Sequence, residues 1–398
     1  MTNIMKKGKL IGLVILSLFI LSACKGYEIT LVATPTENTT AENTESNEET
    51  GTQEQIDSST ENSEQDTSTQ EEISTASNEE TIAEEDFQVF NPSIKYANLY
   101  NGPLYITGMD WNTTNSSEEE FFTNIDDNGI NYMLLFVTPD SNRDIIQSAI
   151  DNHPSRISLF TNPGFTTTEL KTSFTNDELP SDYESIYNEV KANLGEIKGL
   201  GRLDISSLGI NPTNSKIIGF YDFAQTEQKT IIMEIGTGSA QQEGMQEILT
   251  AYPQTNFFLH IHPEELESDE TEYMSLLENN DNLFYIIDTN DILYDGDKGL
   301  AEKFSSQDTE DAISAFIEEY DRSGPVYINN AVLRYKNLLE SYPERVVLGS
   351  YLPSEYDFNE EVYNRIIKAA RTFIIKLDTD NREKFAYENA LDILGEGR

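Results

Sequence analysis

The chain has 398 residues, with 71 Asp or Glu against 26 Lys or Arg, for a formal net charge of −45. A surface this acidic repels phosphate backbones and anionic lipid faces, which argues against nucleic acid and anionic membrane surfaces as partners. A single cysteine excludes an internal disulfide.

In chain order, Lys6, Lys7 and Lys9 precede the apolar run Leu10 to Ile20. At ~1.5 Å rise per residue this run is too short to span a bilayer, but it has the length of a signal-peptide core. Leu21-Ser22-Ala23-Cys24 follows and resembles a lipobox. This predicts that residues 1–23 are a cleaved export signal. Cys24, the sole cysteine, becomes a lipidated N-terminus on the extracytoplasmic face of a bacterial membrane, with membrane lipid as its partner. Residues 25–88 carry 18 acidic side chains and one base in a Thr-, Glu-, Ser- and Asn-rich stretch with almost no large apolar residue. Such a segment buries too little to offset its ordering entropy, so 24–88 is expected to be a disordered acidic tether.

Residues 89–398 alternate short apolar runs with amphipathic patterns. Leu104 to Met109 is expected as a strand, and Ser116-x-x-Glu119 as a capping box opening a helix with Phe121, Phe122 and Ile125 on one face. Tyr132 to Val137 and Ile157 to Phe160 are strands around a helix carrying Ile145, Ile146, Ala149 and Ile150, after which His153 reads as solvated. Ser181-x-x-Glu184 opens the next helix, before the strand Gly199 to Ile205. Ile217 to Ala224 is a helix, Thr230 to Ile235 a strand, Met245 to Leu249 a helix, and Phe257 to His262 a strand. The helix Tyr273 to Leu277 leads to the strand Leu283 to Asp288. Helices at Ile313 to Tyr320 and Leu333 to Tyr342 lead to the strand Val346 to Leu348, and Glu361 to Ile375 and Arg382 to Leu394 close the chain. Eight strands, apolar on both faces and each followed by helix, predict an α/β fold, a TIM-type (β/α)8 barrel. The competing architecture is a two-lobed α/β binding protein.

Several segments fall in the order of a known superfamily. They are Gly199-Leu200-Gly201-Arg202, Thr230 to Gly236 (TIIMEIG), Tyr252-Pro253 with Asn256 to His262 (NFFLHIH), Asn282 to Tyr285 with Asp288, Arg345 to Pro353 (RVVLGSYLP) and Glu388-Asn389-Ala390. In this order the domain resembles the amidohydrolase superfamily of metal-dependent hydrolases. The resemblance implies a divalent metal held by His-x-His on the first strand, His on the fifth and sixth, and Asp on the eighth.

This chain departs at those positions. The first strand ends Met109-Asp110-Trp111-Asn112, the fifth carries Glu234, the eighth carries Tyr351, and Arg202 replaces the fourth-strand acid. Only three histidines exist, His153, His260 and His262, so the four-imidazole site cannot be assembled. One reading is therefore a tethered barrel without the usual metal site, acting as a ligand-binding or scaffold module. A second is an active hydrolase on C–N or ester bonds with a rebuilt site. There His260 and His262, two apart on one strand and so on one face, hold a zinc-like ion, with Asp110 and Glu234 as catalytic carboxylates. A third is a transporter's substrate-binding lipoprotein. Asp110, Glu234 and Asp288 could also form a glycosidase-like carboxylate pair.

Trp111, Arg202, Asp288 and Tyr351 are the candidate contacts for a small-molecule ligand, and a guanidinium at 202 could stand in for a metal's charge. Asn124 to Gly129 and Asp291 to Asp297 lack calcium-loop spacing and read as turns.

Overall fold

A computed structural model describes residues 96, 98–111, 113, 117–138, 141–162, 183–236, 238–350 and 359–395. The chain divides into two units at residue 80, and every described residue lies in the second, Thr81–Arg398. The export signal, Cys24 and the tether lie outside the described residues.

Eight parallel strands close into a barrel in sequence order. They are β1 (Tyr105–Asp110), β2 (Tyr132–Val137), β3 (Ile157–Thr161), β4 (Gly199–Asp204), β5 (Thr230–Glu234), β6 (Phe257–His260), β7 (Leu283–Asp288) and β8 (Val346–Gly349). Thr107 on β1 pairs with Gly349 on β8 and closes the ring, which removes the two-lobed alternative. The main helices between strands are α1 (Glu118–Asp127), α2 (Arg143–Asn152), α3 (Tyr183–Leu194), α4 (Ile205–Leu208), α5 (Ser215–Glu227), α6 (Ser239–Ala251) and α7 (Pro263–Asn279). After β7 come α8 (Thr289–Ile292), α9 (Leu300–Phe304), α10 (Thr309–Arg334) and α11 (Lys336–Ser341), and after β8 α12 (Glu360–Lys376), α13 (Thr379–Glu383) and α14 (Asn389–Leu394). Among the described residues no helix is long and apolar enough to cross a membrane.

The expected elements shift at their ends. The capping box on α1 uses Ser117 and Glu120, one residue later than the spacing suggested, because doubled Ser and Glu residues make the two phases equivalent in sequence. Ser181 lies outside the described residues. The helix expected at 313–320 is longer, since α10 runs unbroken through Pro325 to Arg334, and the helix expected at 333–342 follows it as the separate α11. His153 is half-buried, its ring stacked on Phe122 at 3.7 Å, and burial lowers its pKa.

Two cores follow from strand alternation. Outward side chains such as Leu135, Met233, Leu259 and Ile287 pack under the helices. Inward ones fill the barrel: Tyr105, Phe136, Phe160, Ile232, Phe258, Ile286 and Val347, floored by Ala390 and Leu394 of α14. A Cβ on Gly199 would stand 2.1 Å from the Phe160 ring, so the close approach requires glycine there. Gly201 holds φ of +131°, with its Cα face against the Ile232 carbonyl. Below the barrel wall, Arg371 of α12 is fully buried and donates to the carbonyls of Tyr100, Gly102, Asn128 and Gly129 at 2.8–3.1 Å. It fastens the segment entering β1 to the loop leaving α1.

Candidate functional site

The period of two along each strand builds the site. Ile232, Phe258 and Ile286 point inward, so Glu234, His260 and Asp288, each two residues on, also point inward, one layer nearer the C-terminal ends. The ladder sets Asp204 beside Glu234 and Glu234 beside His260. Above this layer opens a cavity of about 620 Å³, at the barrel end where this fold carries its sites. Its lining includes Arg202, Asp204, Glu234, His260, His262 and Asp288, and beyond them Asp291, Tyr294, Asp297, Lys298 and Glu302.

Charge in the deepest part is paired within the protein. Glu234 is 2% exposed, and its Oε1 accepts from both Arg202 and His260 Nδ1, the latter at 2.5 Å. The other ring nitrogen, His260 Nε2, stands 3.0 Å from Asp291 Oδ2. Carboxylates only accept, so each ring nitrogen donates and the ring is an imidazolium. Burial alone would lower the His260 pKa, but Asp291 and Glu234 overcome it and hold it well above 6.5. Burial alone would raise Glu234, but the Arg202 guanidinium and then His260 drive it well below the ordinary carboxylate range. Arg202, Glu234, His260 and Asp291 thus form an unbroken alternation of cation and anion.

His262 is not on the strand. β6 ends at His260, and His262 is the N-cap of α7, with Pro263 in the first turn. The two rings nevertheless come to 4.9 Å, and one ligand atom each of Glu234, His260 and His262 lies within 4.8 Å of the others. Next to His262, Glu265 is 8% exposed and keeps Oε2 buried without a hydrogen-bond partner. Burial pushes its pKa up to about 7.

Of the residues singled out in sequence, Arg202, Glu234, His260, His262 and Asp288 meet in one cavity. Asp288 also caps α8, its carboxylate accepting from Asn290 N at 2.8 Å. Asp110 closes β1 opposite Phe136, and its side chain and Tyr351 lie outside the described residues. Trp111 is 5% exposed and stacks on Phe121 at 4.4 Å in the outer core, so it packs under α1 and does not line the cavity. Asp291 was read as part of a turn, yet it holds His260 and also accepts from Asp288 N at 2.9 Å. Its signal was the Asp288-x-x-Asp291 spacing, an acidic capping box at the end of a strand.

No family model and no curated protein matches this chain. Among solved structures it is similar to a protein from Acinetobacter baumannii assigned as a 2-pyrone-4,6-dicarboxylic acid hydrolase and solved with citric acid bound (14% identity, 73% of this chain and 99% of the other, TM-score 0.43). It is similar to an uncharacterised TIM-barrel protein from Bordetella bronchiseptica (13% identity, 70% and 83%, TM-score 0.42). It is also similar to an amidohydrolase from Burkholderia multivorans with bound zinc (9% identity, 74% and 99%, TM-score 0.41).

Proposed function

We propose that this chain is a lipid-anchored extracytoplasmic barrel that binds a small ligand in its C-terminal mouth without a resident metal. One observation carries the reading. Two of the three residues a metal would use are already engaged: Glu234 Oε1 by Arg202 and His260, and both His260 nitrogens by carboxylates. An ion here would have to displace a guanidinium and strip a proton from an imidazole whose proton affinity is raised. This pairing argues against a hydrolytic metal centre at Glu234 and His260. The acidic tether and the Lys6–Cys24 signal support the anchored, surface-facing placement.

The second reading, an active hydrolase with a rebuilt metal site, is favoured by the mutual reach of Glu234, His260 and His262. Elemental analysis after purification without chelator separates the two. Less than about 0.1 equivalent of zinc, manganese, iron or nickel is expected. One equivalent, lost in a His260→Ala/His262→Ala double variant, would instead establish the metal hydrolase. Anchoring is tested by expressing Cys24→Ser in a bacterial host. The wild type should fractionate with membranes, and the variant should leave them.

A further inference from the structure

Away from the mouth, the outer helix layer carries a groove of about 360 Å³ between α10 and α12. Tyr320, Pro325 and Ile328 of α10 line one side, and Lys368, Thr372 and Lys376 of α12 the other. Tyr320 and Ile328 are buried at its base, while the two lysines are exposed along its edge. Asp321, also in the groove, is held by Arg365 at 3.2 Å. The described chain begins beside this groove. The Tyr96 ring lies 5.0 Å from the guanidinium of Arg371, the α12 residue before Thr372, and its hydroxyl is within electrostatic reach of Tyr320. That hydroxyl also donates to Asn128 Oδ1 at 2.5 Å, so Tyr96 is pinned in place. The sequence changes character just before it. Glu84, Glu85 and Asp86 are followed by Phe87, Val89, Phe90 and Ile94, after a long stretch with almost no large apolar residue.

We propose that the α10–α12 groove is the docking site for residues 84–94 of this same chain. The Phe87 and Phe90 rings lie against Tyr320, Pro325 and Ile328, and the carboxylates of Glu84, Glu85 and Asp86 face Lys368 and Lys376. The match is of both kinds that recognition needs: apolar rings with an apolar groove, and an acidic run with exposed ammonium groups. The reach is sufficient. At ~3.3 Å per residue the chain between Phe87 and Tyr96 spans up to about 30 Å, against about 12 Å between Lys368 and Lys376 along α12. The segment is also favoured over any separate partner. It is held at the groove by Tyr96, at an effective concentration on the order of millimolar. Docking fixes the base of the acidic tether on the helix layer and leaves the barrel mouth clear.

The test is hydrogen–deuterium exchange of the full chain, read by mass spectrometry on wild type, Lys368→Glu/Lys376→Glu and Phe87→Ser/Phe90→Ser. Both lysines are exposed, so their replacement leaves the core intact, and exchange in β2 and β7 is the control. In wild type the 84–94 amides should exchange about tenfold or more slowly than those of 40–80, with weaker protection as salt is added. Each variant should bring them to the 40–80 rate while β2 and β7 keep theirs. Exchange at the 40–80 rate in wild type would overturn the proposal, as would protection that survives either variant. Protection that vanishes on dilution would also overturn it, by giving the groove to a second copy of the chain. Acetylation of Lys368 and Lys376 supplies an independent readout. It should be faster in Phe87→Ser/Phe90→Ser than in wild type, and equal rates would count against docking.

Discussion

Glu234→Gln is the sharpest perturbation of the buried charge chain. The change keeps shape and removes one negative charge from between the Arg202 guanidinium and the His260 ring. Glu234 is 2% exposed, so water cannot replace what it supplies. Removing one partner of a buried ion pair costs about 3–5 kcal/mol, because the other charge is left uncompensated. His260 can limit the damage by losing its proton, but Arg202 cannot, so the lower end of that range is a floor of roughly 3 kcal/mol. At about 2–4 °C per kcal/mol for a domain of this size class, the thermal midpoint should fall by on the order of 10 °C. Calorimetry on wild type and variant, each with and without EDTA, reads the effect. The wild-type midpoint should not respond to EDTA, and the combined Arg202→Met/Glu234→Gln variant should recover part of the loss. A loss under about 1 kcal/mol would refute the reasoning, as would EDTA bringing wild type down to the variant.

Three further outcomes follow from the same geometry. His260 has a raised folded-state pKa, so its stabilisation is complete below pH 6.5 and is lost as pH rises above that. Glu234 is depressed, so its contribution is present above pH 4.5 and is lost as pH falls below it. Denaturation across pH should therefore show stability declining from pH 6.5 upward, a decline that His260→Gln flattens. A metal-bound site would show the opposite slope, because metal needs neutral imidazole. Arg371→Met should cost about 3–5 kcal/mol in denaturant unfolding, since burial lowers its pKa only to about 10 and four carbonyls lose a charged donor. A loss below about 1 kcal/mol would deny its role as a fastener. Trp111→Ala should cost about 3–5 kcal/mol in denaturant unfolding, because its ring fills the outer core against Phe121. A loss below about 1 kcal/mol would deny that packing role.

The barrel was legible because parallel strands buried on both faces leave uninterrupted apolar runs. Tyr132–Val137 and Leu283–Asp288 stand where the pattern put them. The end of β6 was not, because the alternation Phe258, His260, His262 continues past the last ladder pair, and only Pro263 signals that a helix has begun. Glu234, His260 and Arg202 were legible as a group because equivalent strand ends converge in a closed barrel. What they do to one another was not. The proton on His260 depends on Asp291, which comes from α8, just past the end of β7, and looks in sequence like one more acidic turn residue. Trp111 could not be placed from sequence, because the position after a barrel strand is shared by mouth and core; in the structure its ring stacks on Phe121.

The central claim is that the site carries its own cation, the His260 imidazolium, where a hydrolase would carry a metal. Nitrogen-15 NMR of the histidine rings at pH 7.5, in protein shown to be metal-free and again after one equivalent of zinc, tests it most directly. The expected spectrum shows His260 with both nitrogens protonated, hydrogen-bonded and unmoved by zinc. A His260 ring with one bare nitrogen that shifts on adding zinc would contradict it.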